Sequence, residues 1–409
     1  MPSQRNVLAF VCLVIFLDAL ALGLILPVTP DLIAQLTSLP NSRAAEVSGY
    51  LMVAFAGAQF FSAPILGGLS DCFGRRPILL LALLGFVVNY FVMAVAPTLA
   101  WLFVARVISG VCGGTFPAAN AALVDVTAPA DRPRAFGLTG GALGLGFILG
   151  PPVGGLLGEY DYRLPFVAAG VFTFAVFAYG WLVFGETLPA ERRRAFDWRR
   201  ANPLGSVRSV AGYPVVFALL LANFCVQLSS QSYGTIWAFY TIEVAQWSKW
   251  AIGLSAGAYG FMVVLVQGGL TGPVVKRFGE WPALWFGLTM AALSYLGFAF
   301  VTGPVGIYAF IVVGGFAGFV FPAMQSLMTK GIPENAQGEL QGALASSFCL
   351  AAIIGPVVMS HLFSVFTSGA GVHFPGAPFV AGVALVVCAA FVLSQWGRPR
   401  AVAKIPAEG

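Results

Sequence analysis

The sequence predicts an all-α membrane protein with twelve transmembrane helices in two six-helix bundles. Three observations predict it. The 409 residues are 59% hydrophobic and 9% charged, against about 25% charged in an ordinary soluble domain. A soluble fold of this composition would lack polar surface to cover itself. Apolar runs of about 20 residues, the length that crosses hydrocarbon, occur twelve times. The two halves of the chain also repeat one another at an offset of 205 residues, the separation of Gly67 and Gly272.

In order, the runs fall near 7–29, 47–69, 78–96, 99–121, 135–158 and 164–185, then 213–240, 251–275, 283–301, 304–328, 339–362 and 377–396. The first reads as a retained helix and not a cleaved signal. Asp18 interrupts it, only Arg5 precedes it, and no small-residue cleavage site follows. The longest polar segment begins at Glu186 and separates runs six and seven. The expected organisation is therefore a six-helix bundle over 1–185, a central loop over 186–210 and a second bundle over 211–409.

Charge sets the expected orientation. Arg43, Arg163 and Lys249 fall on one side of the membrane and Arg106 inside a run. The other 17 of the 21 Lys and Arg residues share the side of the N-terminus. By the positive-inside rule that side is the cytoplasm, with both termini there. The formal charge of +5 is thereby explained by topology and phospholipid neighbours; no nucleic-acid partner is expected. The six cysteines form no C-x-x-C pair, and His361 and His373 have no ligand spacing. No metal, cofactor or catalytic group is expected.

The repeat keeps one register in several places. Gly67, Phe73, Gly74 and Pro77 meet Gly272, Phe278, Gly279 and Pro282; Phe116-Pro117-Ala118 meets Phe321-Pro322-Ala323; Gly150-Pro151 meets Gly355-Pro356. Parallel repeats of six helices are a transporter architecture, with the substrate path between the halves.

"GGLSDCFGRRP", Gly67 to Pro77, places one acid and two arginines on a glycine-punctuated turn. Gly67 permits close helix approach, and Gly74 permits the reversal. Asp71 can pair across the basic face, and Arg75 and Arg76 are expected to anchor among headgroups. The plain reading is a basic turn obeying the charge rule. The functional one is a latch for the outward-open state made by Gly67, Asp71, Gly74, Arg75 and Arg76, with Asp125 near it. The second-half copy, "GPVVKRFGEWP", keeps the glycines and loses the acid.

Charges at mid-membrane are expensive and so mark function. Asp18 lies eleven residues into the first run, ~16 Å deep at 1.5 Å per residue. Arg106 lies inside the fourth run. Asp18 is the candidate proton carrier, because a carboxyl at that depth can exchange its charge for a proton, and Arg106 is its expected partner. The alternative is a static ion pair that locks two helices. Gln59, Asn89, Asn120, Asn223, Gln227, Gln231, Gln267 and Gln325 sit in apolar runs near Tyr90, Phe116, Tyr233, Trp237 and Phe321. Interhelical hydrogen bonding accounts for some of them. A cavity with amide groups and aromatic walls accounts for the rest, and it suits a planar amphipathic solute. In the fifth run, Gly146, Gly150, Pro151, Gly154 and Gly155 form G-x-x-x-G-P-x-x-G-G, read either as close packing or as an antiporter-type pattern.

Taken with "LDALALGLILPVTPDL", "ARVISGVCGGT", "GLGFILGPPVGGLLGE" and "PAMQSLMTKGIPENAQGELQG", these motifs resemble the major facilitator superfamily. Within it they resemble the drug/proton antiporters of the tetracycline resistance group, over nearly the full length. The resemblance implies a bacterial cytoplasmic-membrane exporter of small amphipathic compounds, coupled to protons. It implies functional positions at Asp18, Gln59, Asp71, Arg75, Arg106, Asp125, Gln227 and Gln231. The chain departs from the group's pattern at Asn89, Val263 and Ala291. The expected partners are a small-molecule substrate, protons and membrane lipid, with a monomer as the unit. The competing reading is a proton-coupled importer or a uniporter of a small metabolite such as a sugar or organic acid. An enzyme would need paired catalytic groups, which one mid-depth acid does not supply.

Overall fold

The computed structural model describes residues 4–113, 116–129, 131–194, 212–333, 336–369 and 371–396. Most of the expected central loop, 195–211, lies outside the described residues. Twelve helices are long and apolar enough to cross a membrane. They are α1 (Gln4–Ile25), α2 (Asn41–Phe73), α3 (Arg75–Val95), α4 (Leu99–Val126), α5 (Arg134–Tyr160) and α6 (Leu164–Val183), then α7 (Pro214–Ala245), α8 (Lys249–Phe278), α9 (Glu280–Phe300), α10 (Pro304–Lys330), α11 (Gln337–Thr367) and α12 (Ala377–Gln395). Each coincides with one expected run, and the protein is an integral membrane protein. A short helix, Thr29–Thr37, joins α1 to α2.

Helix boundaries follow local chemistry. Pro lies in the first turn of α6, α7 and α10, where its missing N–H costs nothing. The repeat extends to backbone angles: Gly74 (φ 105°) ends α2 and Gly279 (φ 88°) ends α8, in a region that glycine enters at least cost. Prolines inside α2, α5 and α11 bend helices whose freed carbonyls are sheltered by neighbours.

Packing is densest where α5 meets α1. A methyl group on Gly146 would lie 2.6 Å from the Ala19 Cβ, one on Gly150 2.6 Å from the Leu20 carbonyl oxygen, and one on Gly154 2.6 Å from the Leu24 Cα. This spacing of four puts one smooth face of α5 on α1. The next face, Pro151, Pro152 and Gly155, meets Gly253, Gly257 and the Lys249 backbone on α8. The helix-five motif therefore serves two contacts, one within the N-terminal half and one between the halves.

The halves meet mainly through α5 on α8 and α2 on α11. Polar ties gather at the face opposite the basic loops. Lys249 pairs with Asp31 at 2.7 Å, and Asn41 Nδ2 donates to the Phe239 carbonyl at 3.1 Å and to Glu243 at 3.0 Å. The Trp250 N–H donates to Glu159 at 3.0 Å. Towards the basic face the helices separate. A methyl group on Gly67, Gly137, Gly140, Gly268, Gly272 or Gly338 would meet nothing within 4 Å. The bundle is closed at the face opposite the basic loops and splayed at the basic face.

Candidate functional site

Two adjoining cavities are present, the larger between the halves and the smaller inside the N-terminal half. The larger, about 560 Å³, is bounded by α1, α2, α4, α5, α7 and α8, a size suited to a drug-sized solute. Its C-terminal wall is aromatic. Tyr233 stacks on Tyr259 with ring centroids 4.6 Å apart, and Trp237 packs beside Tyr233 at 5.6 Å. Rotamers are fixed from behind: Tyr233 Oη hydrogen-bonds Ser294 Oγ at 3.1 Å, and Trp237 Nε1 donates to Ser255 Oγ at 2.9 Å. The facing wall is apolar, from Leu22, Leu26, Leu51, Leu143 and Phe147.

The smaller cavity, about 80 Å³, is lined by Asp18, Gln59, Asn89, Tyr90, Arg106 and Ser109 with Phe55 and Phe86. Room of this size holds a few waters. Arg106, Leu22 and Ile25 line both cavities, so the guanidinium stands at the boundary between an acid-bearing polar recess and an aromatic chamber. Gln59 Nε2 donates to the Gly113 carbonyl at 3.0 Å. Asn89 is 1% exposed.

The static Asp18–Arg106 pair is absent. Among the described residues neither side chain has an ion-pair partner. Both face the same recess with Tyr90 within electrostatic reach of each.

The turn after α2 is also placed differently from expectation. Arg75 is buried, not in a headgroup position. It reaches Asp71 at 2.5 Å, Ser70 Oγ at 2.6 Å and Asp125 at 3.4 Å. Arg76 donates to the Trp181 carbonyl at 2.7 Å and lies over its ring. Asp71 pairs inside its own half. Sequence reasoning missed Glu186 here. It follows α6, and its carboxylate accepts the Arg75 N–H at 2.8 Å and the Arg76 N–H at 3.3 Å. These are two of the free donors at the start of α3, and Glu186 also touches Gly74. Its position after an apolar run and before "TLP" carried no signal for a contact with a helix so far back in sequence.

Of the expected cavity residues, Gln59, Asn89, Tyr90, Tyr233, Trp237 and Gln267 line these spaces. Asn120, Asn223, Gln227, Gln231, Phe321 and Gln325 line neither. Gln231 packs on Gly355 of α11 instead, and Asn223 is buried; both are interior contacts of the C-terminal half. Phe321 is exposed. The side chain of Phe116 lies outside the described residues. Tyr259 and Val263 do line the chamber, and Ala291 is buried elsewhere on α9. Tyr259 follows no pattern in sequence that separates it from a packing tyrosine.

Comparison with known proteins agrees with this layout. Residues 11–356 match the family model described as Major Facilitator Superfamily. The chain is 35% identical to tetracycline resistance protein, class C, of Escherichia coli, over 97% of this chain and 99% of that one. It is 34% identical to the class G protein of Vibrio anguillarum, over 90% and 92%. A solved bacterial homologue of the human lysosomal transporter Spinster, in an inward-facing and unoccupied conformation, shares the fold, with TM-score 0.75, 18% identity and 96% of each chain covered. Twelve paired helices, a chamber between the halves, the family match and full-length relatives at this identity together make the chain a member of the Major Facilitator Superfamily, in the drug/proton antiporter group that includes the tetracycline resistance proteins.

Proposed function

We propose that this protein exports planar, amphipathic small molecules from the cytoplasm in exchange for protons, with tetracycline-like compounds the first to try. The observation that carries the reading is the shared boundary at Arg106: an aromatic chamber on one side and the Asp18 recess on the other. A solute enters from the splayed basic face and lays its rings against Tyr233, Trp237 and Tyr259. Its polar edge then meets Arg106. A proton on Asp18 removes the carboxylate's pull on that guanidinium, so solute and proton act on one charged group and bias the two arrangements of the halves differently.

The basic face is read as cytoplasmic, with both termini there, on the charge distribution. The host membrane is read as the bacterial inner membrane, on the names of the relatives. One chain contains both halves and the whole chamber, so a monomer surrounded by lipid is the working unit. The boundaries 1–185 and 211–409 are kept as the two bundles; residues 186–194 stay with the first, because Glu186 caps α3 and the Arg194 N–H donates to the Asp71 carbonyl at 3.1 Å.

The test is proton release when solute is added to detergent-solubilised protein. Asp18→Asn is expected to abolish the release and proton-driven uptake into inverted vesicles, while solute binding persists. Release at the wild-type stoichiometry from Asp18→Asn would place the carrier elsewhere.

A further inference from the structure

The chain has two histidines, and export as described uses neither. Both lie at the face that closes the chamber. His361 on α11 places Nδ1 3.0 Å from Glu46 Oε1 on α2, across the two halves. The other oxygen of that carboxylate accepts Arg43 Nη1 at 2.9 Å. One turn or less from this contact, Gly49 of α2 presses on Pro356 and Ser360 of α11, so the helices are in close contact at that level. His373 differs: its Nε2 lies 3.6 Å from Glu243 Oε1, and both belong to the C-terminal half. Further ties across the closure are Lys249 with Asp31, Asn41 with Glu243 and the Phe239 carbonyl, and the Trp250 N–H with Glu159. Histidine is the side-chain type that changes charge between about pH 5 and 8, and among these cross-half ties only His361–Glu46 contains one.

We propose that the His361–Glu46 contact is a proton-sensitive tie that holds this face closed, separate from the proton-carrying recess at Asp18. With a neutral imidazole the contact is a hydrogen bond to the carboxylate alone. With imidazolium both partners are charged and it becomes a hydrogen-bonded ion pair. Opening this face parts α2 from α11 and breaks it. The closed arrangement therefore binds the proton more tightly than the open one, and falling pH favours closure. Arg43 opposes the effect, because it shares the carboxylate, and His361 is 65% exposed. The expected size is that of a partly exposed ion pair, about two- to five-fold in the closed-to-open ratio. The functional sense rests on the export reading: if this face is external, acid outside holds the exporter shut there.

The test measures the closure directly and is independent of sidedness and of transport. Spin labels are placed at Ser38→Cys and Ser368→Cys, both exposed at this face, with the six native cysteines replaced by Ala. Distance distributions are recorded in detergent at pH 7.5 and 5.5, in an Asp18→Asn background that silences the recess. Acidification is expected to raise the short-distance population about two- to five-fold. Adding His361→Gln should remove that shift, and His373→Gln should leave most of it. Carboxylates, amines and guanidinium groups as classes titrate outside this window. No shift in the Asp18→Asn protein, or a shift of equal size after His361→Gln, would overturn the proposal. Loss of proton release in the earlier experiment would not bear on it.

Discussion

A single methyl group on α8 should move this protein between its two arrangements. At Gly253 an added Cβ would touch the Pro151 carbonyl oxygen and lie 2.9 Å from its carbon and 3.1 Å from the Pro152 Cα. These are backbone and ring atoms, with no flexible end to move aside. Nor can α5 retreat, because its other face is locked on α1 through Gly150 and Gly154. Overpacking of this kind costs about 1–3 kcal/mol. Gly253 and Pro151 belong to different halves, so the cost falls on the arrangement in which this face is closed. Gly253→Ala should then shift the equilibrium about 5- to 150-fold towards opening of this face. The same Ser38–Ser368 label pair reads it as a longer distance at fixed pH. Gly154→Ala is the comparison, since Gly154 meets Leu24 within one half and its cost is carried in both arrangements. It should lower the unfolding temperature and leave the distances alone. If Gly253→Ala instead lowers the unfolding temperature with no change in distances, the division of α5 into an intra-half face and a gate face is wrong.

Three further outcomes follow from the same geometry. Asp71→Asn should slow transport about two- to five-fold, the worth of a partly exposed ion pair such as Asp71 makes with Arg75, with solute affinity unchanged; a wild-type rate in reconstituted vesicles would remove the latch. Tyr233→Leu should weaken solute binding about two- to tenfold, the range of an aromatic pair, in a fluorescence titration, while Asp18-dependent proton release per bound solute stays the same; unchanged affinity would move the solute off the aromatic wall. Glu186→Ala frees two donors at the start of α3 and should cost about 1–2 kcal/mol, seen in thermal unfolding in detergent; equal stability would mean those N–H groups find water instead.

What the sequence by itself determined is the part that depends on composition and local geometry. Twelve apolar runs must become helices, because hydrocarbon offers backbone groups no other partner. The glycines at 74 and 279 end helices in both halves, because the same reversal is needed after α2 and after α8. Asp18 stood out in the sequence because a charge in an apolar run is rare whatever surrounds it, and the family resemblance rested on motifs of this local kind. Tertiary structure decided which side chains share a space. Gln227 and Gln231 sit one turn apart on an apolar helix, as chamber-lining groups would, yet Gln231 is spent on Gly355. Tyr259 looks like a packing aromatic and forms part of the chamber wall. Arg75 reads as a headgroup anchor and is buried among Ser70, Asp71 and Asp125. In a helix that is apolar on every side, periodicity cannot separate the face towards lipid from the face towards a neighbour or a cavity, because both are equally hydrophobic. The closure at Glu46 and His361 joins residues more than 300 positions apart, so only the packing of α2 on α11 brings that acid and that base together.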